Sequence, residues 1–161
     1  VEQPCASLED LAAVRRRVDV WVAADESIRR AEDPLRVAVA GAADVAVLKC
    51  APLGGVRRAL EVAQACGLPC VVSSALESGV GLAAEIALAG ALPSLEFACG
   101  LGTGALLAAD VVDDPQAPVD GFLTVPTRAP EPTRRHEVPA DAARTRWWLD
   151  RLERIRPAAQ V

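Results

Sequence analysis

The sequence predicts an α/β fold built on a parallel sheet, and three observations predict it. Polar or glycine residues able to punctuate a strand end recur at Glu2, Asp25, Lys49, Ser73 and Gly100, in steps of 23, 24, 24 and 27 residues. A strand, a helix and two short loops fill such a step, so the chain reads as four regular βα units wound in one sense. The apolar run ahead of Asp25 shows little polar alternation, as in strands covered on both faces. Periodicity alone fits either a (β/α) barrel or an open doubly wound sheet. The even steps, and a chemically capable residue at every strand end, favour the barrel.

Val1–Pro4 reads as the last residues of a strand whose beginning is absent. Ser7 caps a helix with Asp10 three residues on, Leu8, Leu11, Ala12 and Val18 form its apolar face, and Arg15–Arg17 suit its negative pole. Residues 18–24 are a β-prone run expected to be buried on both faces. A mostly helical stretch is expected over 29–42, with a fresh start where Asp33 caps and Pro34 takes the first helical position. Val45–Leu48 is the next strand. Gly54-Gly55 opens a helix with Val56, Leu60, Val62, Ala63 and Cys66 apolar and Gly67 as its stop. Pro69–Val72 is a strand, Gly79–Leu92 an Ala-rich helix, and Leu95–Cys99 one more short strand ahead of Gly100–Gly104.

The character changes after Val112. Residues 113–139 hold six prolines and read as an excursion, with Gly121–Val125 as one possible strand. Residues 140–161 carry an amphipathic helix over 141–156 whose stripe of Trp147, Trp148, Leu149, Leu152 and Ile155 suits packing on a missing or neighbouring surface. The expected organisation is therefore a βα region over 1–112, the excursion, and the C-terminal helix.

Composition narrows the function classes. A net charge of −5, with no basic patch interleaved with aromatics, argues against nucleic acid as a partner. No apolar run reaches the roughly 18 residues that span a bilayer, and the N-terminus lacks a signal-peptide pattern. With no methionine in its 161 residues, the chain is expected to start part-way through a protein. Five cysteines, no C-x-x-C pair and one histidine give little support to a zinc site. Buried free thiols in a reducing cytoplasm are expected instead.

Lys49 stands out. The chain has sixteen arginines and one lysine. A lysine that survives such a bias reads either as one kept for its chemistry, because it can lose a proton or act as a compact point charge, or as a chance surface residue, and composition alone does not choose between them. Parallel strands bring Glu2, Asp25 and Lys49 to one face. Two carboxylates there suit Mg²⁺, or Mn²⁺ as the alternative. A metal and an ammonium together stabilise the oxyanion formed when a proton leaves beside a carboxylate.

Five segments come in order: E-Q-P (Glu2–Pro4), A-D-E-S (Ala24–Ser27), L-K-C-A-P-L-G-G (Leu48–Gly55), V-S-S-A-L-E-S-G-V-G-L (Val72–Leu82) and C-G-L-G-T (Cys99–Thr103). Together they resemble the C-terminal part of the o-succinylbenzoate synthase family, in the muconate-cycloisomerase-like branch of the enolase superfamily. The resemblance implies a (β/α)₇β TIM-like barrel of which this chain holds the equivalents of strands 4 to 8, without the capping domain and first strands. It places metal-binding carboxylates on Glu2 and Asp25, the catalytic lysine of the sixth strand on Lys49, and substrate-binding positions on Ser73 and Gly100. Glu26 is expected to be salt-bridged rather than catalytic. The implied reaction is a carbon–oxygen lyase step on a small carboxylate in menaquinone synthesis, a Mg²⁺-assisted syn-dehydration.

The family's Lys-x-Lys pair and its first metal aspartate have no counterpart here, so the chain alone is expected to be inactive. Its expected partners are the missing N-terminal half or a second copy. Rival readings are an N-succinylamino-acid racemase or other cycloisomerase, a non-catalytic half-barrel needing a partner chain, and an unrelated αβ binding protein.

Overall fold

Ser7 begins the first helix as the sequence predicts: its Oγ accepts the Asp10 N–H at 3.1 Å and donates to the Asp10 carboxylate at 2.8 Å. The computed structural model describes residues 1–29 and 33–156. The helix, α1 (Leu8–Arg15), buries Leu11 and Ala12. Then follow β1 (Ala23–Ala24), α2 (Asp33–Val39), β2 (Val45–Leu48), a short α3 (Cys50–Leu53), α4 (Val56–Cys66), β3 (Cys70–Val72), α5 (Gly79–Ala91), a 3₁₀ turn at Thr103–Leu106 and α6 (Ala142–Ile155). Part of the helical stretch expected over 29–42 lies outside the described residues, and α2 accounts for its second half.

The three strands are parallel and lie in chain order, β1-β2-β3. Single parallel bridges extend the order on both sides, Glu2 beside Ala23 and Gly100 beside Ser73. Five successive segments therefore neighbour one another in sequence order without reversal. A doubly wound sheet reverses at its switch point, whereas an arc of a barrel does not. The helices follow suit, α4 packing against both α2 and α5.

Register divides the sheet into two faces. Ala24 pairs with Ala46, Ala46 with Cys70 and Leu48 with Val72. These five residues join Leu11, Ala59, Val62, Leu82 and Ile86 in one core cluster under the helices. Fully burying a side chain such as Leu48 contributes about 2 kcal/mol. The alternate residues point to the opposite face because side chains alternate along a strand.

Four expectations need correction. Residues 18–22 are not a doubly buried strand: Val20 and Trp21 are 57% and 56% exposed. The Val22 N–H goes to the Asp44 carboxylate at 2.9 Å, which Arg15 holds through two hydrogen bonds, so the ladder starts at Ala23. Val18 lies beyond the end of α1 and is exposed, so it is not on that helix's buried face. Residues 95–99 are irregular, and the bridge beside β3 on that side falls at Gly100, opposite Ser73. Phe97 there meets Trp21 edge-on, ring centroids 5.2 Å apart. The possible strand at 121–125 is a tight turn at Asp120-Gly121, closed by mutual hydrogen bonds between Val119 and Phe122.

Three of the five cysteines are buried, Cys5 and Cys99 are half-buried, and all five are free thiols. The α6 stripe is exposed, with Arg151 lying over the rings of both Trp147 and Trp148. No helix among the described residues is long and apolar enough to cross a membrane.

Candidate active site at the strand ends

Extending the register places Glu2, Asp25, Lys49, Ser73 and Gly100 on the face opposite the helices. Ala23, bridged to Glu2, pairs with Val45, and Val47 with Val71. Asp25, Lys49 and Ser73 each follow two residues beyond a member of that set, which restores the same side. All five predicted positions therefore share one side of the sheet, at its C-terminal edge.

Asp25 and Lys49 are in direct contact. The Lys49 Nζ donates to Asp25 Oδ2 at 2.6 Å, and both side chains are largely buried. Arg29 takes the other oxygen, its guanidinium donating to Asp25 Oδ1 at 2.8 Å and to the Asp25 carbonyl at 2.9 Å. Burial alone would raise the Asp25 pKa, but the hydrogen bonds from Lys49 and Arg29 outweigh it and hold the carboxyl below its ordinary value. Glu26 pairs with Arg29 at 3.6 Å, as expected.

Gln3 fixes the loop that carries Asp25. Its Oε1 accepts the N–H groups of Asp25 and Ser27 at 2.9 and 3.2 Å, and its Nε2 donates to Ser27 Oγ at 2.9 Å. The first two sequence segments, E-Q-P and A-D-E-S, are thus joined side chain to backbone. Glu2 itself is exposed and reaches the site only through its strand position.

At the other end of the face, Gly100 lies so close to Ser73 that a Cβ there would fall 2.8 Å from Ser73 Oγ. Ser74, buried, donates to the Gly100 carbonyl at 2.9 Å and shares a 2.7 Å hydrogen bond with Thr103 Oγ1.

These positions can be compared with known proteins. The sequence profile described as enolase C-terminal domain-like matches residues 1–130. The chain belongs to that family. Among curated relatives, the o-succinylbenzoate synthase of Thermobifida fusca is 61% identical over 158 residues, covering 98% of this chain and 49% of the relative. That of Mycobacterium tuberculosis (strain H37Rv) is 56% identical over 153 residues, covering 95% of the chain and 47% of the relative. The chain spans about half the length of the curated relatives it matches. Two solved structures are also similar. Muconate lactonizing enzyme from Pseudomonas putida has a TM-score of 0.73 at 31% identity, covering 80% of this chain and 37% of that one. 2-Chloromuconate cycloisomerase from Rhodococcus opacus 1CP has a TM-score of 0.77 at 32% identity, covering 87% and 41%. The TIM-like barrel relationship expected from the sequence stands, and the arc described above is a part of such a domain.

Enzymes of the enolase superfamily generally depend on a divalent metal. In this enolase C-terminal domain-like chain, Glu2 and Asp25 carry hard oxygen donors suited to Mg²⁺. No group of three or more His, Cys, Asp or Glu among the described residues is gathered to hold an ion, and cations take both Asp25 oxygens. The donor set is right in chemistry and short in number.

Two functional candidates escaped the sequence reading. Arg29 was one arginine among sixteen, and only an i, i+4 spacing from Asp25 marked it. Glu85 lies in an Ala-rich helix and is fully buried. Burial pushes its carboxyl up to about 7, with Glu77 adding to the rise and hydrogen bonding from Cys50 opposing it. A lone carboxylate inside the apolar run of α5 was the available signal.

Proposed function

We propose that this chain forms part of an o-succinylbenzoate synthase, a carbon–oxygen lyase that dehydrates 2-succinyl-6-hydroxy-2,4-cyclohexadiene-1-carboxylate to o-succinylbenzoate in menaquinone biosynthesis. The observation that carries the reading is the buried Lys49–Asp25 contact, on a sheet face shared with Glu2, Ser73 and Gly100. The identity to synthases supports the substrate class. A cytoplasmic location suits the five free thiols.

Lys49 supplies the electrostatic part of the chemistry. When the proton beside the substrate carboxylate leaves, negative charge grows on the carboxylate oxygens, and a fixed ammonium in a dry site stabilises it. Asp25 holds that ammonium in place while remaining ionised itself. The lost hydroxyl leaves as water, and the groups that take and return protons come from outside this chain. Glu2 and Asp25 would contribute oxygen ligands to Mg²⁺, and a bound ion would supply further stabilisation of developing negative charge. Ser73 offers a hydroxyl to the succinyl portion, and the bare Cα of Gly100 leaves room beside it.

The test is a dehydration assay on the chain alone and on a complete protein carrying it. Turnover by the complete protein, lowered by about 10²–10³-fold in Lys49→Ala, is expected. No turnover is expected from the isolated chain. A complete protein that does not dehydrate the substrate, or whose rate ignores Lys49→Ala, overturns the reading.

A further inference from the structure

Glu85 has no role in the reaction described above, yet none of its surface is exposed. A buried carboxyl group is costly unless specific hydrogen bonds need it. Its Oε1 accepts the backbone N–H of Cys50 at 2.7 Å, across 35 residues of chain. Its Oε2 has no hydrogen-bond partner among the described residues. Cys50 opens α3, and Lys49 at the cap position gives that helix no side-chain hydrogen bond. The first N–H of α3 is thus satisfied from α5 in place of a local cap. Cys50 Sγ adds a second tie, to the Ala84 carbonyl at 3.6 Å. Cys50, Glu77 and Lys49 are the titratable groups that act on Glu85.

The peptide held in this way is the one joining Lys49 to Cys50. Because a peptide unit is planar, fixing its N–H also fixes the plane from which Lys49 departs. We propose that Glu85 is a positioning residue: its buried carboxyl clamps the Lys49–Cys50 peptide and so aims the Lys49 ammonium at the strand-end face beside Asp25. Its consequence for catalysis rests on the synthase reading above, whereas the clamp itself does not.

Lys49 is the only lysine in the sequence, so amine acylation followed by mass spectrometry of its peptide reads its surroundings directly. In the full chain, Glu85→Gln keeps an acceptor oxygen for the Cys50 N–H and should leave the Lys49 acylation rate within about twofold of the unmodified value. Glu85→Leu removes the acceptor and should accelerate acylation about tenfold. Thiol labelling at Cys66 and Cys70, buried elsewhere in the core, should stay slow in both variants. An unchanged Lys49 rate in Glu85→Leu, or a rise matched at Cys66 and Cys70, overturns the proposal. Hydrogen exchange at the Cys50 amide provides a measure that does not depend on the Leu variant folding. Protection in the unmodified chain and in Glu85→Gln is expected, and fast exchange in the unmodified chain overturns the clamp.

In a complete enzyme, Glu85→Leu should lower kcat with KM little changed, and Glu85→Gln should restore it. Absent dehydration with the labelling contrast intact sinks the synthase reading and leaves the clamp standing.

Discussion

Lys49 Nζ lies 2.6 Å from Asp25 Oδ2 although 24 residues separate them in the chain. With Arg29 on the other oxygen, a single buried carboxylate faces two positive charges. The arrangement offsets burial of the anion, and Glu26 balances the second cation through Arg29 at 3.6 Å.

Asp25→Asn should expose that dependence. A depressed carboxyl pKa contributes stability that is present above the ordinary value near 4 and is lost as pH falls through the lower folded value. Urea unfolding at pH 7 should show Asp25→Asn less stable by about 2 kcal/mol. The gap should close towards pH 2, and a constant gap across that range contradicts the ion-pair account.

The Glu85 carboxyl gives the opposite slope. Its pKa is raised to about 7, so the native state holds a proton that the unfolded chain releases between about pH 4.5 and 7. Stability contributed by the protonated group therefore falls across that window and levels off above it. Glu85→Gln should flatten this component of the profile, gaining on the unmodified protein by on the order of 3 kcal/mol at pH 8. Parallel unfolding curves at pH 5 and pH 8 would count against it.

Gln3→Ala removes the acceptor shared by the Asp25 and Ser27 amides. The expected loss is about 2 kcal/mol, with hydrogen exchange at those two amides accelerated more than at Val47. Uniform acceleration would mean that Gln3 has no local grip on the loop.

Gly100→Ala puts a methyl group 2.8 Å from Ser73 Oγ. Overpacking of this kind costs about 1–3 kcal/mol. Adding Ser73→Ala should recover most of the loss, a coupling that a double-mutant cycle measures. Strictly additive effects would show that the two residues do not press on each other.

Much of this was legible because it is local. The step between strand ends set the positions of Asp25, Lys49 and Ser73, and the Ser7 cap and Gly67 stop were readable from single residues. Strand extent was not, because it depends on the neighbour. Val20 and Trp21 have β propensity but no partner rung, since Asp44 takes the N–H that would begin one. Residues 95–99 are likewise outside a ladder, their stretch of chain meeting the sheet at the Gly100 bridge. In the site, Lys49 stood out by rarity, whereas Arg29 was hidden by abundance and Glu85 by lying in a helix whose neighbours are almost all apolar. The long-range bond that gives Glu85 meaning spans 35 residues and leaves no trace in sequence spacing.

The order of the sheet has a kinetic consequence. Among the described residues each strand pairs with the strand before and after it in the chain, so loop closures stay near one βα unit in length. Structure can therefore grow unit by unit as the chain leaves the ribosome, each new strand docking on an edge already formed. Interruptions between units, such as at the loop after Gly67, should slow only the next addition and leave the preceding arc intact.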